Sequence, residues 1–227
     1  MAAALLLTYS RGAWLLGIPA AVLFLAAVRG RKTFVVIGVA LVVVGILGIA
    51  LVGTDRLTSL LDTSGGTTFF RLQLWQSSWA MVRDHPLLGV GLDNFLYAYR
   101  SHYVLPTAWE EFNLSHPHNL VFDFWLRLGV LGLVVGFWLL VSFGRRGWRL
   151  YRRLGEGAER ALILGMMGGG VYMVAHGLVD HVFFLVDLAF AFMLMAASIQ
   201  AVDAMASGLE TESKLAVERG VVGSAKV

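Results

Sequence analysis

Apolar residues in this chain come in long runs, and the polar residues fall between the runs instead of alternating within them. Ala13–Val28 is apolar and stops at Arg29-Gly30-Arg31-Lys32, and Thr33–Gly53 follows without a charge. A polar stretch, Thr54–His116, holds the turn-formers Asp62-Thr63-Ser64-Gly65-Gly66 and the tight-turn signal Gly89-Val90-Gly91. Asn119–Phe143 is a third run, closed by Arg145, Arg146, Arg149, Arg152 and Arg153. Ala161–Val179 and Val182–Val202 are two more, parted only by Asp180-His181. About 20 apolar residues at ~1.5 Å rise cross the roughly 30 Å of a bilayer's hydrocarbon. The pattern predicts an all-α polytopic membrane protein with about five full transmembrane helices.

Ala2–Leu7 is apolar but too short to span, with no basic residue before it and Arg11 soon after, which excludes a signal peptide. It reads as the outer end of a truncated helix, so the chain is expected to be a piece of a longer protein. Residues 1–53 then hold this partial helix and two spans, 54–118 a loop, 119–203 three spans, and 204–227 a small, charged tail expected to be disordered and cytoplasmic. The basic turns Arg29–Lys32 and Arg145–Arg160 place both ends of their spans in the cytoplasm. The intervening loop is therefore expected outside. It carries Arg56, Arg71, Arg83 and Arg100 against Asp55, Asp62, Asp84, Asp93, Glu110 and Glu111.

Composition narrows the function classes. Over half the residues (58%) are hydrophobic, only 15% are charged, and mean hydropathy is +0.73. With no cysteine, disulfides, a thiolate nucleophile and cysteine metal sites are excluded. The basic balance, pI about 9.4, belongs to residues flanking spans, so orientation explains it and nucleic acid is not an expected partner.

Candidate chemistry gathers where the polar loop runs into an apolar helix, at Ser115-His116-Pro117-His118-Asn119. Pro117 suits a first helical turn, which puts His118 in the opening turn of Asn119–Phe143. There the positive end of the helix dipole disfavours imidazolium, so His118 is expected to be neutral and able to accept a proton. His116 orients it, binds substrate, or is an ordinary loop histidine. Thr67–Arg83 reads as an amphipathic helix with Leu72, Trp75, Trp79 and Val82 on one stripe, lying against the membrane interface. Thr67 or Thr68 would cap it, leaving Arg71 in the first turn as an anion site; the plainer reading is a solvated arginine. Arg11 stands in apolar surroundings as an interfacial anchor or an anion ligand.

Ser10-Arg11-Gly12-Ala13-Trp14, Arg71-Leu72-Gln73-Leu74-Trp75, Asp84-His85-Pro86-Leu87-Leu88-Gly89-Val90-Gly91 with Asn94-Phe95, His116-Pro117-His118-Asn119 and Leu128-Gly129-Val130-Leu131-Gly132-Leu133 occur in this order. Over roughly Tyr9 to Asp187 this resembles the C-terminal half of the O-antigen ligase / O-antigen polymerase family. The resemblance implies a GT-C-like fold in the bacterial plasma (inner) membrane, with the catalytic loop outside. It also implies transfer of a glycan from an undecaprenyl-diphosphate carrier to a hydroxyl of a glycan, lipid or protein acceptor. By resemblance Arg11 and Arg71 bind the carrier diphosphate, His118 is the acid-base residue with His116 beside it, and no metal or cofactor takes part.

Other polar residues leave choices open. Asp123 and Arg127 share a helix face and are expected to pair structurally; the family often has an acidic residue where Arg127 stands. His176 and Asp180, with Asp187 beyond, either line a cavity together with Asn119 or lock helices together. A metal held by His116 and His118 would need Glu110, Glu111 or Asp123 as well, and the intervening proline restricts convergence. The rival function is a fragment of a transporter or flippase with an ion path through His176, Asp180 and Asp187. A further alternative is an inactive truncated piece.

Overall fold

A computed structural model describes residues 10–52 and 66–218; the partial helix expected at Ala2–Leu7, the turn Asp62–Gly65 and the end of the tail lie outside the described residues. Every regular element among them is helical. A π-helical turn, Ala13–Gly17, runs into α1 (Ile18–Arg29), followed by α2 (Arg31–Val52) and α3 (Gly66–Asp84). The loop then forms a short α4 (Phe95–Ala98), a π turn (Tyr99–Tyr103) and a 3₁₀ turn (Pro106–Glu111). The chain ends in α5 (Leu120–Arg153), α6 (Ala158–Gly177) and α7 (Val186–Glu218). Among the described residues three helices can cross a membrane by length and composition, within Arg31–Gly48, Leu120–Arg153 and Val186–Gly208, and Ala13–Arg29 is a shorter apolar helix.

The described residues form two cores. Phe143, Leu150, Ile163, Met167, Met173, Phe192 and Ile199 fill the space between α5, α6 and α7. Glycines let these helices approach, as small residues do where no hydrophobic effect separates helix from lipid: Gly147 lies on Met167 and Gly170 on Phe143. The outward face of α2, including Val35, Val36, Val39 and Val42, is exposed apolar surface of the kind lipid covers. The second core belongs to the loop, where Leu74, Met81 and Val82 of α3 close on Phe95, Tyr99 and Leu126.

The structure revises several expectations. The inward face of α3 is Leu74, Ser77, Ser78, Met81 and Val82, while Leu72 and Trp79 of the expected stripe are exposed. Both serines are satisfied, Ser77 by donating to the Tyr103 carbonyl at 2.7 Å and Ser78 to that of Leu74 at 2.8 Å. Polar residues could therefore turn inward and shift the buried face away from the apolar stripe. Gly66 already belongs to α3, so Thr67 and Thr68 lie within the helix instead of before it, and Arg71 lies more than a turn inside. Beyond Asp203, α7 continues as helix to Glu218, through residues expected to be disordered. Arg153 ties this stretch back to α5 by bonds to Asp203 (2.9 Å) and Ser207 (3.1 Å).

Helix α5 is broken at Gly129, which has φ 71°. The Leu126 carbonyl, freed there, accepts from Val90 N (2.7 Å) and Gly91 N (3.2 Å), and Val130 N donates instead to the Leu87 carbonyl at 3.2 Å. A side chain at Gly129 would strike the Leu87 carbonyl, and one at Gly89 the Leu126 carbonyl. The turn read from Pro86 and the paired glycines is thus a clip seated in the helix break, with Trp125 Nε1 donating to the Pro86 carbonyl at 2.8 Å.

Candidate active site

The starts of the Ser10–Gly17 segment and of α5, the end of α6 and the turn before α7 meet at one end of the bundle. Asn119 starts α5: its Oδ1 accepts from Val121 N (3.0 Å) and Phe122 N (3.2 Å), the pattern of an N-cap. Its Nδ2 donates to the Leu178 carbonyl at 2.9 Å, fastening α5 to the end of α6. Helix thus begins after Asn119, and His118 stands one residue outside it, contrary to the sequence expectation. His118 has φ 48°, a left-handed backbone that costs an ordinary residue about 1 kcal/mol or more. The conformation is held from behind: Pro117 is buried and its carbonyl accepts from Trp75 Nε1 at 3.0 Å.

That backbone turns His118 toward Asp180. His118 Nδ1 lies 2.9 Å from Asp180 Oδ1, which also accepts from His181 N at 2.9 Å, and Asp180 Oδ2 lies 3.3 Å from His176 Nε2. Burial raises the Asp180 pKa, but the bonds from His118, His176 and the His181 backbone outweigh it and hold the carboxyl well below the usual carboxylate range. An ionised carboxylate at Nδ1 assigns the proton to that nitrogen and leaves Nε2 as the acceptor. The helix-dipole argument for His118 is thereby replaced by a direct histidine–carboxylate dyad.

His118 and Arg71 line the same cavity, about 350 Å³, together with Phe70, Leu74, Glu111 and Leu114. Arg11 does not line it. It is exposed, between Ser10, whose Oγ lies 3.3 Å from His176 Nε2, and Gly12, which packs on the same imidazole. The first motif therefore reaches the site through His176. His116 lies beside His118 with ring centroids 4.2 Å apart and stacks on His181 at the same separation. Burial, then the neighbouring imidazoles of His118 and His181, lower its pKa to about 4 against the pull of Asp123 and Asp180, so it is neutral at pH 7.

Sequence reasoning missed His181, treated there only as a separator of two spans. Its Nδ1 is bonded to Asp123, which pairs with Arg127 Nε at 2.9 Å; Arg127 Nη1 reaches Asp93 at 2.6 Å and its guanidinium lies over Phe184. The expected Asp123–Arg127 pair is present, and it extends to the loop on one side and the histidine stack on the other. A two-residue polar turn that ends in His, between apolar runs, was the available signal. Asp187 is exposed in the first turn of α7. Asp180 meets both His118 and His176, so these contacts form a dyad and its support, and Asp187 sits apart, exposed.

Among the described residues, one group brings three metal-ligating atoms within 4.8 Å of one another: His116, His118 and Asp180. Glu110, Glu111 and Asp123 are not part of it. As arranged, His118 Nδ1 is taken up by Asp180, and the pair suits proton transfer at Nε2.

A family model described as O-antigen ligase matches residues 1–137. A curated O-antigen ligase of Salmonella typhimurium (strain LT2) is 29% identical over 136 residues, which cover 56% of this chain and 33% of that protein. The matched region thus spans a third of the length of that relative.

Proposed function

The chain belongs to the O-antigen ligase family, and on that premise we propose that it transfers a glycan from an undecaprenyl-diphosphate carrier to an acceptor hydroxyl at the outer face of the bacterial plasma membrane. The observation that carries this reading is a guanidinium, Arg71, and a carboxylate-backed imidazole, His118, in one cavity. Guanidinium binds phosphate oxygens in a bidentate fork. In this reading Arg71, with Arg11 from the rim, holds the diphosphate. His118 Nε2 takes the proton of the acceptor hydroxyl as its oxygen bonds to the anomeric carbon. The bond from that carbon to the phosphate oxygen breaks, and carrier diphosphate leaves with the electron pair, stabilised by the arginines. Attack opposite the leaving group inverts the anomeric centre. Asp180 offsets the charge that develops on His118, and His116, being neutral, packs beside it without competing for the proton.

Positive charge at the leaving group comes from arginine in this scheme, so transfer is independent of a metal. Ligation to a lipid and polymerisation of repeat units share this half of the chemistry and differ in the acceptor. The basic turns at Arg29–Lys32 and Arg145–Arg160 orient the cavity to the outer face.

The test is transfer from a synthetic undecaprenyl-diphosphate oligosaccharide by the purified protein in liposomes. Arg71→Ala and His118→Ala are expected to abolish transfer at unchanged membrane abundance, and chelator treatment to leave the wild-type rate intact. Wild-type rates in both variants refute the site. Loss on chelation with recovery on adding a divalent ion refutes the metal-free scheme, and proton-coupled uptake without transfer favours a transporter.

A further inference from the structure

Some 16 residues of α6 separate His176 from Arg160, roughly 24 Å at 1.5 Å per residue, so the far end of this helix lies beside the Tyr151 end of α5, a helix long and apolar enough to cross a membrane. There a second cavity of about 470 Å³ opens between the end of α1, the end of α5 and the start of α6. Arg29, Arg160 and Glu156 supply its polar side, and Val28, Ala161 and Leu164 its apolar side. Arg160 is fixed over the Tyr151 ring, 4.5 Å from its centroid, a contact that orients a guanidinium without neutralising it. No hydrogen bond or ion pair of Arg29 or Arg160 occurs among the described residues, although Glu156 lines the same cavity. By contrast Arg153, nearby on α5, is committed to Asp203 and Ser207.

Two unneutralised guanidinium groups beside an apolar wall, at the end of membrane helices, match a phosphodiester with the first methylenes of its acyl chains below it. We propose that this cavity binds the phosphodiester headgroup of an anionic glycerophospholipid, at the bilayer surface opposite the histidine site. Arg29 and Arg160 hold the phosphate oxygens; Val28, Ala161 and Leu164 receive the neck of the lipid. Glu156 accepts from a headgroup hydroxyl and repels a second phosphate, which favours a singly charged headgroup over inorganic phosphate.

Native mass spectrometry of the full chain, released from detergent after adding phosphatidylglycerol or phosphatidylcholine, reads the number of lipids retained. One phosphatidylglycerol is expected to stay bound and phosphatidylcholine to be lost. At about 1 kcal/mol per arginine near the surface, Arg29→Gln with Arg160→Gln lowers retention about thirtyfold. Arg145→Gln with Arg149→Gln, an equal charge change outside the cavity, leaves it unchanged. Ala161→Phe fills the cavity while keeping both charges and is expected to abolish retention. Equal losses in the two arginine pairs show diffuse attraction and overturn the site, as does full retention in Ala161→Phe. Displacement by millimolar inorganic phosphate overturns the lipid assignment in favour of a free-phosphate site.

Discussion

If Asp180 acts by holding His118, replacing it by asparagine removes charge while keeping shape. In the transition state His118 becomes imidazolium, its charge centre about 4 Å from that of the carboxylate. Both side chains are about a quarter exposed, so a dielectric near 20 applies, and the attraction is about 4 kcal/mol. At 1.36 kcal/mol per decade this is about a 10³-fold loss in kcat. Asparagine can also turn its N–H toward Nδ1, which moves the imidazole proton to Nε2 and removes the base altogether. Initial rates of glycan transfer in liposomes, at saturating donor, measure the loss for Asp180→Asn, for His118→Ala and for the double variant. The double variant is expected to be no slower than His118→Ala alone, because the carboxylate then has nothing to act through. Multiplied losses, or an Asp180→Asn enzyme at the wild-type rate, refute the dyad.

Three further outcomes are expected. Because the folded pKa of His116 is about 4 and lies below the ordinary histidine value of 6.5, the unfolded chain takes up the proton first and stability falls as pH drops from 6.5 to 4; His116→Gln should flatten that part of a plot of Tm against pH. Arg127→Ala leaves the buried Asp123 with His181 as its one side-chain partner among the described residues and should cost about 3 kcal/mol in thermal unfolding, while Asp93→Ala, whose carboxylate is 90% exposed, should cost under about 1 kcal/mol. The Tyr99 hydroxyl is buried without a hydrogen-bond partner among the described residues, so Tyr99→Phe should stabilise the protein by roughly 1 kcal/mol; destabilisation would show that the hydroxyl has a partner.

Much of the fold was legible because membrane spans are written as uniform apolar runs, and the turns at Pro86, Gly89 and Gly91 as residues with a fixed backbone meaning. The i,i+4 pairing of Asp123 with Arg127 was equally local. What escaped was long-range. Nothing in the sequence near His118 says that Asp180, 62 positions on, is its partner, since that contact depends on how α5 and α6 dock. His181 escaped for the same reason. The inward face of α3 was misread because Ser77 and Ser78 find carbonyls inside the fold, which an apolar stripe cannot reveal. The start of α5 falls after Asn119 and not before His118, enough to replace a helix dipole by a carboxylate as the charge beside His118.

The clip at the Gly129 break has a consequence for folding order. A helix that closes all its own hydrogen bonds can insert into lipid before anything docks on it, but α5 cannot finish at this point alone. Its Leu126 carbonyl and Val130 amide are completed by residues 87–91. A bilayer offers neither group a substitute partner. The break therefore has to lie at a depth that water reaches, or wait for the loop. Gly129 thus marks the point on α5 that water or the docked loop has to reach, and Asp123 and Arg127, on the turns before it, are closed by Asp93 of that loop and by His181.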